Sequence, residues 1–273
     1  MKILISTDME GISGVVDWTH VDSTHAEYNR FRRLMTADVS AAVRGAIKGG
    51  ADQVVVTDAH GSKTNILIEE LEAPARLNSG KSGPMGMVQG IDDHVDAAFF
   101  VGYHARNGTL NGILSHTISG KAIANIWVND LLVGEFGINA LVAGAYDVPV
   151  LLVTSDQAGE AEAKDLVPDI TTVVTKVSTS RYSADCLPPK RVHQMIEAAA
   201  EAAVKAFASG KAPAVLKTVE PVVVKIEFMH SAMADSASLL PNARRLEGRM
   251  IELKADTMPE AYRNIRAAVK MAA

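Results

Sequence analysis

The chain lacks the features of a secreted or membrane-anchored protein. Its 273 residues include one cysteine, Cys186, so no internal disulfide can form and we expect a reducing, cytoplasmic location. No basic segment followed by an apolar stretch precedes the first strand, and no apolar run approaches the ~20 residues that cross a bilayer. We therefore expect a soluble protein with no membrane partner.

Positive charge and aromatic residues are also scarce. The 27 Lys and Arg residues are outnumbered by 32 Asp and Glu, and the net charge of -5 argues against nucleic acid as a partner. Aromatic residues make up 5% of the chain, whereas hydrophobic residues in total make up 48%. This composition favours helices packed tightly on a parallel sheet, and the chain is long enough to bury a large core.

The N-terminal segment predicts a buried strand that ends in two acids. The run from Lys2 to Thr7 is mostly apolar, and Asp8 and Glu10 follow it. Residues two apart on a strand point to the same side, so the two carboxylates would repel each other unless a cation lay between them. A divalent metal would hold both. The alternative is that Asp8 caps a turn and Glu10 faces water.

Two later strands repeat this pattern. The run from Gln53 ends near Asp58 and His60, and the run from Ala97 ends at His104. A long helix that begins at a Thr24–Glu27 capping box connects the first two strands, as in a right-handed βαβ unit. Because open α/β sheets bind ligands at the carboxyl ends of their strands, we expect these side chains to meet at one edge.

The rest of the chain predicts a hairpin insertion and a smaller second section. Alternating residues over 113–118 and 124–135 indicate antiparallel strands, with Asn129-Asp130 as a hairpin turn. Helices and strands then alternate up to Pro188, and strands at 222–228 and 245–253 follow. The predicted fold class is α/β, with a central, largely parallel sheet flanked by helices. We place a catalytic domain at 1–187 and a smaller α+β section at 188–273.

The polar residues at these positions form a set suited to zinc or a similar ion. The candidates are Asp8, Glu10, His60, His104, His116 and Glu135. Carboxylate and imidazole groups are common zinc ligands, and even five of these six residues exceed what one tetrahedral ion with an open position can use. They suit two ions with a bridging carboxylate. Asp58 is either a residue that orients a ligand or a turn cap, and His230 is a further candidate for the substrate pocket.

Several motifs together resemble a known family. They are Asp8-Met-Glu10-Gly-Ile-Ser-Gly14, Asp58-Ala-His60, Gly102-Tyr-His104-Ala, Ser115-His116-Thr, Gly134-Glu135 with Gly137 and Asn139, and Tyr146-Asp-Val-Pro-Val-Leu. In this order they closely resemble the zinc-dependent D-aminopeptidases associated with bacterial dipeptide-transport operons. The similarity extends over most of the chain.

The resemblance implies a chemistry and an assembly. Two Zn²⁺ ions per chain would be bridged by Asp8 and completed by four more ligands, and His116 would be the catalytic residue outside the ligand shells. The four ligands are Glu10, His60, His104 and Glu135. The resemblance also implies hydrolysis of short peptides such as D-Ala-D-Ala, and a homo-oligomer, specifically a decamer of two pentameric rings.

Alternatives remain at this point. His116 is either a proton donor, a stabiliser of the oxyanion or a nucleophile. Ser115 is a weaker nucleophile candidate, because no base-orienting pair is evident. The substrates are D-peptides or, by the same mechanism, L-peptides. A metal-dependent phosphatase and a non-catalytic peptide-binding module are further alternatives; the histidines disfavour a magnesium site of the phosphatase type.

Overall fold

The computed structural model describes residues 1–81 and 83–272, which form two sheets and seven α-helices. The strands are β1 (Lys2–Thr7), β2 (Gln53–Asp58), β3 (Arg76–Asn78), β4 (Ala97–Val101), β5 (Ile123–Val128), β6 (Leu131–Val133), β7 (Val150–Asp156), β8 (Thr171–Ser180), β9 (Ser183–Cys186), β10 (Val222–Phe228), β11 (Ala243–Glu247) and β12 (Met250–Ala255). The helices are α1 (Trp18–Val21), α2 (Tyr28–Gly49), α3 (Glu135–Gly144), α4 (Gln157–Leu166), α5 (Pro189–Ala208), α6 (Ser231–Ala237) and α7 (Met258–Ala272).

The larger sheet is parallel except at one edge. Its order is β3-β2-β1-β4-β7-β8-β9, and only β9 runs antiparallel to its neighbour. Its central strands are buried on both faces, which is why they read as nearly continuous apolar runs. The predicted α/β class with a largely parallel sheet flanked by helices is confirmed.

The smaller sheet is antiparallel and has the order β11-β12-β10-β5-β6. The predicted turn between β5 and β6 is confirmed, because Asn129 and Asp130 have φ of 45° and 67°. Positive φ at both positions is the geometry of the two-residue turn that suits hairpin twist. The boundary at 187–188 stays a prediction. Helix α5 after it packs on α2, and β10 pairs with β5 from before it.

Two local predictions in the first half of the chain were wrong. Helix α2 begins at Tyr28 and not at a capping box, because the Thr24 amide and hydroxyl both donate to the Asp22 carboxylate. The segment 113–118 is a loop and not a strand. Its amides at Ile113 and Leu114 bind an aspartate side chain and an arginine carbonyl instead of a neighbouring strand.

Other elements differ from their predictions in length. The predicted strand at 245–253 is a hairpin, in which β11 turns at residues 248–249 into β12. Short apolar stretches near residues 65–71 and 85–89 form single 3₁₀ turns at Ile68–Glu70 and Gly86–Val88. Apolar spacing does not distinguish such short turns from α-helices.

The larger sheet separates two apolar cores. On one face it packs against α2 and α5, and on the other against α3, α7 and the smaller sheet. This layering leaves the carboxyl ends of β1, β2 and β4 at one edge, where the polar residues collect. Within the described residues, none of the helices combines the length and the apolar character needed to cross a membrane.

Candidate metal centre

The structure brings all six predicted residues together at the carboxyl edge of the larger sheet. Asp8 and Glu10 follow β1, His60 follows β2 and His104 follows β4. Glu135 is the first residue of α3. His116 lies in the loop between β4 and β5, and each of the six is buried or half-buried. Ligand atoms of these residues fall into three overlapping groups, each within 4.8 Å.

Asp8 lies at the centre of the cluster. Its Oδ1 is 3.1 Å from His60 Nδ1, which is also 3.2 Å from Glu10 Oε2. Its Oδ2 is 3.5 Å from His104 Nε2, which is 3.4 Å from Glu135 Oε1. The two oxygens of one carboxylate thus face two separate sets of ligand atoms. This is the geometry that a bridging carboxylate between two metal ions requires.

Backbone carbonyls fix the orientation of all three histidine rings. When the ring nitrogen near a carbonyl donates its proton there, the other nitrogen keeps its lone pair for a metal or a proton. The bonded pairs are His60 Nε2 with Val21 O at 3.0 Å, His104 Nδ1 with Ala105 O at 3.0 Å and His116 Nδ1 with Leu114 O at 2.9 Å. The free nitrogens are therefore Nδ1 of His60 and Nε2 of the other two.

His116 lies beside the cluster and is stacked on it. Its ring is 4.2 Å from that of His104, with the planes nearly parallel, and Trp18 contacts it edge-on at 5.5 Å. His116 Nε2 is 3.7 Å from Glu135 Oε1. It also falls within one of the three groups, together with Glu10 and His104.

The charged groups of the cluster shift one another's pKa values. Burial alone would lower the pKa of His60 and His104, but nearby Glu10 and Glu135 outweigh it and raise each pKa well above its ordinary value. Burial would raise the pKa of Asp8, but the neighbouring imidazoles of His104 and His60 hold it well below its usual range. An incoming metal ion must therefore displace protons from the imidazoles.

The donor set fits a zinc-like ion. Glu10 Oε2 and His104 Nε2 are buried atoms without a hydrogen bond among the residues described. Buried polar atoms are nearly always paired, so these two atoms are suited to bind a metal ion. Imidazole nitrogen with carboxylate oxygen is a typical zinc donor set.

Two glycines allow the loops after β1 and β4 to touch. The Gly11 amide donates to the Gly102 carbonyl at 2.8 Å, and a Cβ on Gly11 would lie 2.6 Å from the Gly102 carbonyl carbon. Gly102 has φ of +74°. A larger residue at either position would separate Asp8 from His104.

Strand β8 holds the loop that carries Glu10, and the sequence did not reveal this. Thr175 Oγ1 donates to the Gly11 carbonyl at 2.8 Å. Lys176 Nζ donates to the carbonyls of Glu10 and Ile12 at 2.6 and 2.8 Å. Lys176 is 1% exposed, and burial lowers its pKa to about 8. The available signal was a lysine in the middle of β8, a strand rich in Val and Thr, where a buried ammonium group requires a specific partner.

Three secondary candidates have other roles. Asp58 is a turn cap, because its carboxylate accepts from the amides of Asn65 and Ile66 and from the Asn65 side chain, at 2.5–2.9 Å. Ser115 presents its carbonyl to Arg181 Nη2 at 2.9 Å and does not line the pocket. His230 is exposed at the start of α6 and is also outside the pocket.

A cavity of about 290 Å³ opens onto the cluster. Besides Asp8, Glu10, His60, His116 and Glu135, its lining includes six larger side chains that the sequence did not assign to the site. These are Trp18, Lys63, Met87, Ile118, Tyr262 and Arg266. The last two come from the C-terminal helix α7, so the pocket combines residues from both ends of the chain. This volume is at the lower end of the range for small-ligand pockets, roughly 300–1,000 Å³.

Comparison with known proteins gives one consistent result. Residues 1–267 match the peptidase family described as D-aminopeptidase. A D-aminopeptidase of Bacillus subtilis (strain 168) is 37% identical over 275 residues, which cover 100% of this chain and 98% of that protein. A solved structure is described as the Zn-dependent D-aminopeptidase DppA from Bacillus subtilis, a self-compartmentalizing protease. It is 36% identical, covers 100% of this chain and 98% of its own, and superposes with a TM-score of 0.95.

Proposed function

The chain belongs to the D-aminopeptidase family of peptidases, and we propose that it removes the N-terminal residue of short D-peptides, such as D-Ala-D-Ala, at a site with two zinc ions. The observation that carries this proposal is the position of Asp8. Its two oxygens face His60 and Glu10 on one side and His104 and Glu135 on the other. A single ion would leave one of these sets unused.

In this proposal Asp8 would contact both ions, and Glu10, His60, His104 and Glu135 would hold them together with it. Bound zinc would supply Lewis-acid activation of the scissile carbonyl and of water. The chain provides the orientation. The carbonyls of Val21 and Ala105 fix the rings of His60 and His104, and Lys176 fixes the backbone of Glu10. Such supporting contacts raise both metal affinity and activity.

We assign His116 as the catalytic acid and base. Its Nδ1 is paired with the Leu114 carbonyl, so Nε2 faces the pocket and can accept a proton. His116 takes the proton that the attacking water loses and returns it to the nitrogen of the departing amine, as the C–N bond breaks. Proton transfer of this kind contributes about 10²- to 10⁴-fold to a rate.

The assembly is also a proposal. The relative with the solved structure is described as self-compartmentalizing, and we propose that this chain forms a cytoplasmic homo-oligomer, a decamer of two pentameric rings. Large apolar side chains at Leu110, Val177 and Tyr182 are at least half-exposed, which supports burial between copies. Sedimentation analysis would test this, because a monomer in solution would contradict it.

The function is tested by measuring metal content together with turnover. The purified protein is analysed for zinc per chain and assayed with D-Ala-D-Ala and L-Ala-L-Ala, before and after chelation and zinc restoration. We expect two zinc ions, cleavage of the D-peptide, loss of that cleavage on chelation and its recovery with zinc. Cleavage of the L-peptide alone would retain the mechanism and overturn the specificity. No metal and no turnover with either peptide would overturn the proposal.

A further inference from the structure

The pocket contains two cationic side chains that the metal centre does not use. Lys63 follows His60 by three residues, and Arg266 lies on α7; both are half-buried and both line the cavity. Among residues 1–81 and 83–272, neither forms an ion pair. A half-buried cation without a directly paired carboxylate is uncommon and points to an anionic ligand.

The backbone at Lys63 is held in an unfavourable conformation. Its φ is 59°, in the left-handed region that non-glycine residues rarely adopt. Three hydrogen bonds fix it there: its amide donates to the His60 carbonyl at 2.7 Å, and its carbonyl accepts from the Gly80 amide at 2.6 Å and Ser79 Oγ at 2.9 Å. Backbone strain that is maintained by several contacts is often found at functional sites.

Arg266 is fixed just as firmly. Its Nη1 donates to the carbonyls of Gly83 and Pro84 at 3.0 and 2.7 Å, and its guanidinium carbon lies 5.6 Å from the centre of the Tyr262 ring. The Tyr262 hydroxyl is in turn held by the Met87 amide at 2.9 Å. Both carbonyls accept from Nη1, which is one of three nitrogens in the guanidinium group. The group has five N–H donors in one plane. The guanidinium is therefore pre-oriented, as bidentate recognition of a carboxylate requires.

The two cations influence each other. Burial and, as a smaller effect, the charge of Arg266 together lower the pKa of Lys63 to about 8. Two like charges that share a partly dry pocket repel, and a bound anion between them would relieve the repulsion. A short peptide is a zwitterion, so these cations repel its ammonium end and attract its carboxylate end.

We infer that Lys63 and Arg266 bind the C-terminal carboxylate of the substrate, so that the pocket selects peptides of two or three residues with a free C-terminus. This inference rests on the proposed function. The scissile amide must reach the cluster around Asp8 while the carboxylate contacts the cations of the same small cavity. Because both ends of the contact lie in one cavity of about 290 Å³, only a short peptide fits between them.

The test compares a carboxylate with its uncharged equivalent. Variants Lys63→Met and Arg266→Met are assayed with D-Ala-D-Ala and with its C-terminal amide. We expect the ratio of kcat/KM for the acid to that for the amide to fall roughly 10- to 100-fold, because a hydrogen bond between charged groups is lost. Lys63→Arg, which keeps the charge, should restore most of the ratio. Matched controls are Lys81→Met, on the following exposed loop, and Arg263→Met, on the exposed face of α7.

A binding measurement separates this inference from the proposed function. A non-cleavable analogue, in which CH₂ replaces the scissile carbonyl, is titrated calorimetrically in its acid and amide forms, and zinc content is measured for each variant. Wild-type protein should bind the acid more tightly, and Lys63→Met should remove that preference without loss of zinc. If the acid and amide forms bind wild type equally, the carboxylate site is wrong even if D-Ala-D-Ala is cleaved. If the acid form is preferred but no peptide is cleaved, the proposed function fails and the carboxylate site stands.

Discussion

Each histidine of the centre is positioned by one contact to the main chain. His60 pairs through Nε2 and therefore offers Nδ1, whereas His104 and His116 pair through Nδ1 and offer Nε2. The carbonyl partners thus decide which nitrogen can act. Motif spacing contains no information of this kind, because it does not show which ring nitrogen meets a carbonyl.

The assignment of His116 can be tested separately from metal binding. We expect His116→Ala to keep two zinc ions per chain and to lose about 10²-fold or more in kcat, since a proton donor and acceptor is removed. Zinc content and D-Ala-D-Ala turnover are the measurements, with His230→Ala as the control at an exposed histidine. Near-normal turnover would remove His116 from the mechanism, and loss of one zinc ion would make it a ligand.

Lys176 is the residue outside the pocket whose loss should affect the centre most. Lys176→Met would leave the Glu10 and Ile12 carbonyls buried without their donor, which costs roughly 1–3 kcal/mol for an unpaired group. We expect a lower free energy of unfolding in urea and weaker zinc retention against a chelator. The control is Lys164→Met, a surface residue of an i,i+4 pair, which should change stability by less than about 0.5 kcal/mol. Unchanged stability and unchanged zinc retention in Lys176→Met would contradict a positioning role.

At the scale of whole elements, α2 and α5 pack closely against each other on one face of the larger sheet. A Cβ on Gly45 would lie 2.6 Å from the Ala200 Cβ, and one on Gly49 would lie 2.6 Å from the Val204 Cβ. Arg44 and Lys48 of α2 also pair with Glu197 of α5. The helices therefore touch nearly backbone to backbone.

This contact predicts that Gly45→Ala destabilises the protein. Helix propensity alone would favour alanine by about 1 kcal/mol, but the added methyl meets atoms of α5 that cannot move independently. Overpacking typically costs about 1–3 kcal/mol, so we expect a net loss of about 1 kcal/mol in urea unfolding. Gly248→Ala is the matched control, because a Cβ there has no neighbour within 4 Å. A more stable Gly45→Ala protein would show that the helices can separate at little cost.

How far the sequence predicts an element depends on the range of the forces that form it. The strands that precede Asp8, His60 and His104 were predictable, because apolar runs are local signals and parallel strands share one carboxyl edge. The loop at 113–118 was not, because its amides bind Asp156 and the Arg181 carbonyl from distant parts of the chain. Contacts of this kind exist only once the tertiary structure has formed.

For the whole molecule, the same limit applies to the pocket. The metal-ligand candidates come from residues 8–135, but Tyr262 and Arg266 come from the last helix. The proposed sections 1–187 and 188–273 therefore both contribute to one cavity. The residues that follow the strands predicted a metal centre from the sequence. The place of Arg266 in the pocket depends instead on how α7 packs over the larger sheet.

The two apolar cores predict that the fold persists without zinc. They lie on the two faces of the larger sheet and contain none of the metal-ligand candidates. In the metal-free cluster, the raised pKa of His60 and His104 lets protonated imidazoles balance the carboxylates. Removal of the metal therefore leaves the charges partly paired and the cores intact.

We expect chelated protein to keep its far-UV circular dichroism and to melt about 5–10 °C lower. A ligand present at about 100 times its Kd stabilises by roughly 2.7 kcal/mol, and each kcal/mol shifts Tm by about 2–4 °C at this chain length. Calorimetry before chelation, after chelation and after zinc is restored is the measurement, and His25→Ala, an exposed histidine variant, controls for adventitious surface binding. Loss of the circular dichroism signal on chelation would mean that zinc is needed to fold the chain, and the cores alone would then be insufficient.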